Sequence, residues 1–400
     1  MEWEIVRVDD VFDVINGFAF SSNDLMTDPQ DNCWEVLKIG HISPNGGLRT
    51  QPKREYAIKT KKNSRYILQK GDIVMGMTDM KSNVRILGVP AIVDRSNHYA
   101  LNQRVGCLRI KDTSLADNIF CYYQMGHSRF ISDLRKTANS GVQVNLTTIG
   151  IRSTQLFLPP LSIQRRIASI LSSYDNLIEL NTRRIKLLEQ MAENLYKEWF
   201  VRFRFPGHEK VEMENGLPKG WRYAKLEDVL SLKDSTRIPL SSIERSNMQK
   251  IYPYYGAASI LDYVSDYLFD GVYLLLGEDG SVIDENGYPY IQYVWGKFWV
   301  NNHAHVIEKK GVYSVEFLYC MFKKMNIQSI VTGVAQPKIS QGRLFNKKVI
   351  IPCDSIISLF DKQIQPIFAE IRQLTNQTSL LTRQRDLLLP RLMSGQLPTQ

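Results

Sequence analysis

The stretch GVQVNLT at residues 141–147 leads through a strand-like LFLP at residues 156–159 into a long amphipathic helical pattern. The chain repeats this plan with GVAQPKIS at residues 333–340, VIIP at residues 349–352 and a second long helical pattern. A globule and a helix are thus followed by another globule and another helix. This order predicts two similar halves, which an internal duplication would produce.

A constant spacing of 193 residues relates the two copies, and it pairs Pro159 with Pro352. The openings of the two globules also agree, since WEIVRVDDV at residues 3–11 resembles WRYAKLEDV at residues 221–229. We therefore expect both globules to begin and end alike. Such a chain can fold with internal two-fold symmetry, which suits the reading of two half-sites on DNA.

Length and composition narrow the class of protein. A chain of 400 residues is too long for one core, so two or three domains are expected. The net charge of +9 favours a polyanionic partner, although weakly. Five scattered cysteines without a CxxC pair indicate neither a disulfide framework nor a zinc ribbon. No signal peptide or membrane-length apolar run is visible, which predicts a cytoplasmic protein.

The hydrophobic pattern divides the chain into four segments. We predict globules at residues 1–160 and 206–353, and helical spacers at residues 161–205 and 354–400. The predicted fold class is α+β, with two β-rich globules and two long helices that form an antiparallel coiled coil of pseudo-two-fold symmetry. One shorter helix is expected near residues 115–125. Strands are predicted at residues 34–39, 73–77, 84–89, 105–110, 273–276, 290–294 and 305–307.

Both long helices carry a heptad seam, because their apolar residues recur mostly in steps of four and three. Ser162 is the predicted N-cap of the first helix. Asn181 is either a solvated residue or a buried polar residue that fixes the helix register. Pro366 predicts a kink or a late start in the second helix, which is expected over residues 358–393. The predicted seam residues are Ile167, Tyr174, Leu177, Asn181, Leu188, Leu195, Ile364, Ile371, Leu381 and Leu388.

Catalytic signatures are scarce: the chain has no GxxxxGK[ST] loop, GxGxxG, HExxH or amino-methyltransferase box. LGEDGS at residues 276–281 is either a loop that holds a phosphate or a metal or, more often for such a sequence, a tight turn. His303 and His305 would share one face of a strand, which zinc could use, but no third ligand is near in sequence. We assign no catalytic residue and no metal site. A metal-dependent nuclease or deaminase using these histidines and Asp279 stays an alternative, as does a protein-binding scaffold.

Side chains suited to DNA are better supplied in both globules. Lysine and arginine neutralise phosphates, whereas arginine, asparagine and glutamine read base edges. Any one of these side chains is more often simply solvated, but each globule contains a set of them. The predicted DNA-binding residues are Lys59, Lys61, Lys62, Arg65, Lys81, Asn83, Arg85, Asn102, Gln103, Arg104, Gln143, Asn145, Tyr254, Tyr255, Asn301, Asn302, His303, Gln336 and Lys338.

Several of these motifs resemble one protein family. LPPLSIQRRI at residues 158–167, continuing to LEQ at residues 188–190, resembles the central conserved region of type I restriction–modification specificity subunits. YPYYGA at residues 252–257, FWVNNHA at residues 298–304 and TGVAQPKIS at residues 332–340 resemble that family's target recognition domains. Each motif is weak alone, but together and in this order they are specific, and the resemblance covers essentially the whole chain.

The resemblance implies a non-catalytic DNA-binding subunit without a cofactor of its own. Each target recognition domain would read half of a bipartite site on double-stranded DNA, and the helices would set the spacer. Two modification subunits would dock with S-adenosylmethionine, and restriction subunits would add translocation and cleavage driven by ATP and Mg. The second repeat departs from the pattern, since PCDSI at residues 352–356 lacks the double proline and the glutamine of the first.

Overall fold

The structure is a computed structural model that describes residues 3–141, 143–333 and 335–396. Of Ser140 it describes the backbone alone. Val142 and Val334 of the repeated motifs therefore lie outside the described residues, as do residues 397–400 at the end of the predicted second spacer. Within the described ranges, no helix is both long enough and apolar enough to cross a membrane.

The chain forms two compact units. Unit 1 comprises Met1–Ile178 with Ser379–Gln400, and unit 2 comprises Glu179–Thr378. Because both boundaries fall within the long helices, each unit contains a globule and a part of each long helix. Each unit also combines antiparallel sheets with helices, which confirms the predicted α+β class.

Unit 1 begins with a strand, and its sheets precede the first long helix. Its strands are β1 (Glu4–Arg7), β2 (Phe12–Asn16), β3 (Cys33–Leu37), β4 (Tyr56–Ile58), β5 (Ile73–Gly76), β6 (Thr78–Met80), β7 (Pro90–Ile92), β8 (Tyr99–Leu101), β9 (Val105–Ile110), β10 (Asn139–Ser140), β11 (Gln143–Asn145) and β12 (Gln155–Leu158). The helices that begin in unit 1 are α1 (Val8–Val11), α2 (Asn118–Gly126), α3 (Ser128–Lys136), α4 (Thr148–Ser153) and α5 (Leu161–Tyr196).

A sheet of order β2-β9-β5-β7 forms the centre of unit 1. The strand β5, with the sequence IVMG, is buried throughout, because one face packs with Phe120 and Leu134 of α2 and α3 and the other packs with Leu37 and Leu101. This explains why the strand reads as a continuous apolar run rather than an alternating one. Two smaller sheets have the orders β4-β3-β8 and β10-β11-β6.

The predicted strand at residues 84–89 is wrong, since these residues form a loop. The Asp79 carboxylate accepts hydrogen bonds from the backbone N–H groups of Ile86 at 2.7 Å and Leu87 at 3.3 Å. Gly88 then adopts a left-handed φ of 74°, which a β-strand does not allow. A side chain is therefore the partner of two of these N–H groups, and contact with a strand is limited to Gly76 of β5, whose carbonyl accepts the Gly88 N–H at 2.8 Å.

Unit 2 has the same general order of elements. Its strands are β13 (Met213–Glu214), β14 (Leu217–Pro218), β15 (Arg222–Lys225), β16 (Leu230–Leu232), β17 (Tyr252–Tyr255), β18 (Ile260–Val264), β19 (Phe269–Gly277), β20 (Ile291–Val300), β21 (Ala304–Lys309) and β22 (Lys348–Ile351). The helices that begin here are α6 (Ser242–Ser246), α7 (Val315–Lys323), α8 (Gln341–Phe345) and α9 (Asp354–Met393).

The main sheet of unit 2 has the order β16-β21-β19-β20-β17-β18. Its first four strands correspond to β2-β9-β5-β7 of unit 1, and in both units these four are antiparallel. The long strand β20 corresponds to both β7 and β8, because its last residues pair parallel with β17 as β8 pairs with β3. The two units therefore share a topology, which supports the predicted duplication.

The spacing of 193 residues reappears in the elements directly before each long helix, such as β12 and β22, whereas β1 and β15 are 218 residues apart. The first and last strands of each globule pair antiparallel, β1 with β12 and β15 with β22. Thr147 caps α4 and Ser340 caps α8 at equivalent positions. The long helices begin at the equivalent residues Leu161 and Asp354. The repeated sequence thus specifies the same local structure twice.

The first long helix begins at Leu161, two residues earlier than the Ile163 start that a Ser162 N-cap would give. Leu161 follows Pro159-Pro160 directly, and the Pro160 carbonyl oxygen accepts the N–H of Ile163 at 2.8 Å, so Ser162 lies within the helix and is not its cap. Gln164 is buried, accepts the Asp117 N–H at 2.8 Å and donates to the Pro159 carbonyl at 2.8 Å. It therefore fastens the helix to its globule.

The two long helices pair antiparallel within unit 2. Buried Asn181 donates to Gln377 Oε1 at 3.1 Å, and the rings of Tyr196 at the end of α5 and Phe200 just after it pack on Phe360 of α9. As residue numbers rise along α5, the numbers of the partners on α9 fall, which defines the antiparallel direction. Asn181 is thus the buried polar residue of the two alternatives.

The helices also pair within unit 1, where Arg385 donates to Asp175 at 2.6 Å. The prediction of Leu177 as a seam residue is wrong, because 45% of it is exposed and a seam residue must be covered by the partner helix. The others are buried or half-buried: Ile167, Tyr174, Asn181, Leu188, Leu195, Ile364, Ile371, Leu381 and Leu388.

The second long helix begins at Asp354, so the predicted late start is wrong. It continues through Pro366 without interruption. Ile364 and Phe368, which flank the proline, are both buried in the core of unit 2. Their packing offsets the lost backbone hydrogen bond, for which an interior proline costs about 3 kcal/mol.

Candidate nucleic-acid interface

A short turn joins β8 to β9 in unit 1 and carries three of the predicted DNA-binding residues. Asn102 is buried; it donates its N–H to the Leu37 carbonyl at 3.2 Å, and its Oδ1 accepts the Arg104 N–H at 3.5 Å. Buried polar groups need such partners, so Asn102 shapes the turn from within. The side chains of Gln103 and Arg104 are exposed.

The pair formed by β6 and β11 lies beside this turn. Met77, which precedes β6, donates its N–H to the Arg104 carbonyl at 3.0 Å and accepts the Leu146 N–H at 2.8 Å. Within the pair, Thr78 Oγ1 donates to Asn145 Oδ1 at 2.9 Å. Backbone bonds through one residue thus connect the turn to both strands.

The loop after β6 adds Lys81, Asn83 and Arg85, which are all exposed. Asp79 holds the far end of this loop through the contacts described above, and Gln143 of β11 is exposed beside it. The structure therefore gathers predicted residues from three separate stretches of sequence. We call this surface edge 1, and it consists of Thr78, Lys81, Asn83, Arg85, Gln103, Arg104, Gln143 and Asn145.

The same hydrogen bonds around a buried asparagine occur in unit 2, in the turn between β20 and β21. We call this set of bonds the frame. Asn301 is buried; it donates its N–H to the Tyr255 carbonyl at 3.1 Å, and its Oδ1 accepts the His303 N–H at 2.9 Å. Glu278 donates its N–H to the His303 carbonyl at 2.8 Å and accepts the Ile339 N–H at 2.8 Å. These bonds match those of Asn102 and Met77 one for one.

The exposed side chains of this second frame differ from those of edge 1. The backbones of Asp279 and Lys338 are antiparallel bridge partners, as are the backbones of Thr78 and Asn145. The His303 ring nitrogen Nδ1 lies 2.5 Å from Asp279 Oδ1. We call this surface edge 2, and it consists of Asp279, Asn302, His303, Gln336 and Lys338.

Four buried or nearly buried charged side chains lie behind edge 2. His305 Nδ1 lies 2.6 Å from Asp234 Oδ2, and Arg237 Nη1 donates to Glu278 Oε2 at 2.7 Å. Arg237 also donates to the Ala304 carbonyl at 2.7 Å. We call these four residues, Asp234, Arg237, Glu278 and His305, the charged network.

The protonation states of the network follow from its hydrogen bonds. Burial raises the pKa of Asp234, but hydrogen bonds and charge from His305, with bonds from the Val306 N–H and Gln341, outweigh burial and bring the pKa below its ordinary value. The ionised Asp234 therefore accepts from His305 Nδ1. His305 Nε2 donates to the Ile339 carbonyl at 2.8 Å, so the ring donates twice and is positively charged. The two positive groups of the network, Arg237 and His305, thus balance the two negative groups, Asp234 and Glu278.

The equivalent positions behind edge 1 are neutral. Asn16 accepts from Thr148 Oγ1 at 3.0 Å, where Asp234 accepts from Gln341 at 2.7 Å. Met77 occupies the position of Glu278. Gly106 occupies that of His305, and a Cβ atom added there would lie 3.1 Å from the Met77 sulfur. The Met77 side chain therefore fills the space that charged groups fill in unit 2.

Asp234, Glu278 and His305 lie close enough together to hold a metal ion, but their bonds do not fit one. Both nitrogens of His305 already donate, and the Arg237 cation occupies the position between the two carboxylates. His303 lies in the turn and faces Asp279, so the expected shared face of His303 and His305 is wrong.

The stretch LGEDGS is not the tight turn that its sequence favours. It ends β19 and continues along residues 337–339, where the Gly280 N–H donates to the Pro337 carbonyl at 3.0 Å. The next strand of the sheet, β20, begins only at Ile291. Of the two acidic residues of the stretch, Glu278 belongs to the charged network and Asp279 belongs to edge 2.

Comparison with known protein families identifies the family to which this chain belongs. The model of the type I restriction modification DNA specificity domain matches residues 1–190 and 218–388. The chain belongs to this family. Each match spans one of the two copies, so the specificity domain occurs twice, as the 193-residue repeat predicts.

Individual relatives agree with the family assignment. The MjaIX specificity subunit of Methanocaldococcus jannaschii is 24% identical over 99% of this chain and 94% of its own length. A putative type I specificity subunit of Haemophilus influenzae is 36% identical over 32% of each chain. The crystal structure of the type I system S subunit from M. genitalium has a TM-score of 0.65 at 18% identity, covering 98% of this chain and 96% of that one.

Membership in the specificity family confirms the predicted role. The chain is a DNA specificity subunit of a type I restriction–modification system, and it recognises DNA without being an enzyme itself. DNA and the other subunits of such a system are its partners. The nuclease or deaminase alternative and the scaffold alternative are therefore wrong.

Three predicted DNA-binding residues of this specificity subunit are buried, so direct base contact is wrong for them. Asn102 and Asn301 are only 8% and 5% exposed and hold their turns from within. Tyr254 is 1% exposed, and its hydroxyl accepts the Leu240 N–H at 3.0 Å. A sequence pattern cannot separate a reading asparagine from one that caps a turn, because both are polar residues in a loop.

The remaining predicted residues lie elsewhere in the two units. Tyr255 is half-buried against Phe298, and burial raises its pKa. Lys59 is half-buried, with its ammonium 4.2 Å from the centre of the Trp34 ring. The basic run continues after β4 with exposed side chains at Lys61, Lys62 and Arg65.

Sequence reasoning missed Asp234 and Arg237 of the charged network, and it considered His305 and Glu278, which lies in LGEDGS, only as members of separate motifs. Asp234 and Arg237 lie in a short irregular segment after β16 that shows neither helical nor strand periodicity. The available signal was indirect: Asp234 is equivalent to Asn16, a polar residue at the same distance from the matching openings of the two globules. An alignment of the two halves, rather than a search for motifs, would have found it.

Proposed function

We propose that edge 1 and edge 2 each read one half of a bipartite DNA site through the major groove. One observation carries this proposal: the same backbone frame occurs once in each unit but presents different side chains. A recognition subunit that reads two different half-sites requires this combination. The frame holds the turn in place, and the exposed side chains supply the specificity.

The side chains of edge 1 suit both purines. The Arg104 guanidinium matches the O6 and N7 acceptors of guanine, and the amides of Gln103, Gln143 and Asn145 match adenine. In edge 2, Lys338 matches guanine, and the Asn302 and Gln336 amides match adenine. Each such bidentate contact discriminates against a wrong base by about 1–3 kcal/mol.

Phosphate contacts would supply most of the salt-dependent affinity. Each neutralised phosphate changes the slope of log K against log salt by about −0.9. Substituting a phosphate-binding lysine or arginine, including Lys81 or Arg85 within edge 1, should therefore weaken binding to all sequences alike, unlike substitution of a base-reading residue. The residues we assign to phosphates are Lys59, Lys61, Lys62, Arg65, Lys81 and Arg85.

We further propose that the predicted boundaries divide reading from spacing. Residues 1–160 and 206–353 would be the target recognition domains, and residues 161–205 and 354–400 the spacers. One heptad added to each long helix lengthens it by about 10 Å, at 1.5 Å per residue. Since one base pair rises about 3.4 Å, the unread spacer of the DNA site should grow by about 3 base pairs. Unchanged spacing would contradict the role of the helices.

Leucines on the long helices supply a docking surface for two modification subunits. In unit 2, Leu187 of α5 is 60% exposed; in unit 1, Leu380 of α9 is equally exposed and lies at the equivalent position of the repeat. Such repeated apolar exposure is typical of an interface. The modification subunits would bring S-adenosylmethionine, and restriction subunits would bring ATP and Mg. We place the assembly in the cytoplasm, where it meets DNA.

Selection of bound duplexes from a randomised pool, followed by sequencing, tests the reading proposal. The wild-type chain should select a bipartite sequence. Arg104→Ala should relax one half of that sequence, and His303→Ala with Lys338→Ala should relax only the other half. Loss of preference in both halves from either change, or in neither half, would contradict the assignment of one edge to each half-site.

A further inference from the structure

Arg237 connects two of the three chain segments that form edge 2. Its guanidinium donates to Glu278 Oε2 and to the Ala304 carbonyl at 2.7 Å each, and to the Asn302 carbonyl at 3.4 Å. Glu278 lies next to Asp279 of the edge, while Asn302 and Ala304 surround His303. One nearly buried side chain thus holds both segments.

Glu278 could also attract a DNA-reading residue away from the edge. Lys338 Nζ lies 3.5 Å from Glu278 Oε1, while Arg237 binds the other carboxylate oxygen. Lys338 is still about half exposed and able to contact DNA. Without the Arg237 charge, the Glu278 carboxylate would lack its strongest partner, and Coulomb attraction would draw the Lys338 ammonium onto it.

We propose that Arg237 is a positioning residue for DNA recognition by unit 2: it neutralises Glu278, which leaves Lys338 available to DNA, and it fixes the 301–304 turn that presents His303. This inference rests on the proposed role of edge 2. It assigns specificity to a residue that does not itself touch DNA.

Unit 1 shows that the frame does not need these charges to form. Met77 keeps the same backbone bonds as Glu278 without a carboxylate, and Asn145, which is neutral, occupies the position of Lys338. Of the two frames, only that of edge 2 has an acidic residue, Glu278, beneath a basic DNA-reading residue, Lys338. The role of Arg237 in neutralising this acidic residue therefore has no counterpart in unit 1.

The test compares Arg237→Met with Arg245→Met in the full-length chain. Arg245 is a matched control, since its guanidinium is also mostly covered, and it contacts Asp262 at 3.2 Å and the Leu240 carbonyl at 2.5 Å instead. Affinity for the selected duplex, for duplexes changed in either half-site, and its dependence on salt are measured for each variant.

Arg237→Met should weaken binding about tenfold and flatten base preference in the unit 2 half-site, as expected for the loss of one good base contact. It should also make the salt slope shallower, because Lys338 no longer reaches the DNA. Preference in the other half-site and the behaviour of Arg245→Met should match wild type.

The double variant Arg237→Met with Glu278→Met separates positioning from mere stability. With the carboxylate gone, Lys338 is free again, so the salt slope should return to that of wild type and at least half of the lost affinity should recover. Simple loss of packing predicts instead that the second substitution adds to the first.

Two results would overturn the inference: wild-type base preference in Arg237→Met, or equal damage from Arg245→Met. Failure of the proposed function would look different, because His303→Ala and Lys338→Ala would then leave the selected sequence unchanged. The two ideas therefore fail in separate experiments on the same duplexes.

Discussion

Edge 1 and edge 2 share a backbone frame but rest on opposite chemistry. Behind edge 1, Asn16, Met77 and Gly106 form a neutral and largely apolar support. Behind edge 2, Asp234 and His305 belong to a buried network of four charges. The backbone hydrogen bonds of the two frames are nonetheless the same. A frame defined by main-chain bonds and one buried asparagine can thus tolerate a complete change of its support.

The difference separates what duplication preserves from what each copy alters. The asparagine turn and the bonds through residue 77 or 278 recur because they use backbone atoms, which every residue supplies. The support uses side chains, so substitution can exchange an apolar solution for a charged one. A charged support is tolerated only when every charge is paired, as it is here.

The largest contrast between the supports should come from removing one buried charge. Asp234→Ala leaves charged His305 without its carboxylate, which should destabilise unit 2 by about 3–5 kcal/mol. The equivalent Asn16→Ala removes one exposed hydrogen bond in unit 1, worth about 0.5–1.5 kcal/mol. Hydrogen exchange of amides in each unit measures the two effects separately. Equal losses in the two variants would mean that the supports are energetically alike.

The frames themselves should respond alike. Asn102→Ala and Asn301→Ala each remove one hydrogen bond to a backbone N–H, that of Arg104 or His303, at a cost of about 0.5–1.5 kcal/mol. The longer 3.5 Å bond in unit 1, against 2.9 Å in unit 2, places Asn102 at the low end. Hydrogen exchange of the amides in the two turns measures both losses. A substitution that leaves exchange unchanged at either position would show that the two frames are not equivalent.

Acid should weaken the support of unit 2 selectively. Because the pKa of folded Asp234 lies below its ordinary value of 3.8, its contribution is complete above that value and is lost as pH falls through the folded pKa. The stability gap between wild type and Asp234→Asn should therefore narrow in acid. Unfolding followed from pH 7 down to about 3 tests this. A gap that stays constant would show that Asp234 is not ionised in the network.

The smallest effect concerns the exposed pair on edge 2. Asp279→Asn alters the contact of Asp279 with His303, which is about half exposed, so stability should fall by only about 0.2–1 kcal/mol. The Thr78–Asn145 bond of edge 1 is the neutral counterpart. Base preference in the unit 2 half-site should change even though denaturant unfolding barely does. A large loss of stability would mean that the pair supports the frame.

Much of the fold could be predicted from the sequence, because its signals are local and occur twice. Short apolar runs located strands such as β5, β9, β19 and β21, heptad patterns located both long helices, and the repeat aligned Leu161 with Asp354. Errors arose where a distant group decided the outcome. Ile86 and Leu87 bond to the Asp79 side chain instead of a strand. Packing around Pro366 keeps the helix intact.

The candidate site was predicted in composition but not in detail. Gln103, Arg104, Asn302, His303, Gln336 and Lys338 are exposed on the edges, as a reader requires. Asn102, Asn301 and Tyr254 have the same chemistry but are buried. Nothing within a few residues of Asn301 distinguishes it from Asn302. Their different exposure depends on the Tyr255 carbonyl, which lies far away in sequence.

The amino-acid sequence by itself determined that this chain is a duplicated specificity subunit with two globules and two long helices. Repeats, caps and heptads act over short distances, so they can be recognised without coordinates. Only the tertiary structure decided which polar residues face solvent and which support them. Asp234, Glu278 and His305 meet because three strands of one sheet place them side by side. Burial and charge pairing depend on such distant contacts, which no local pattern records.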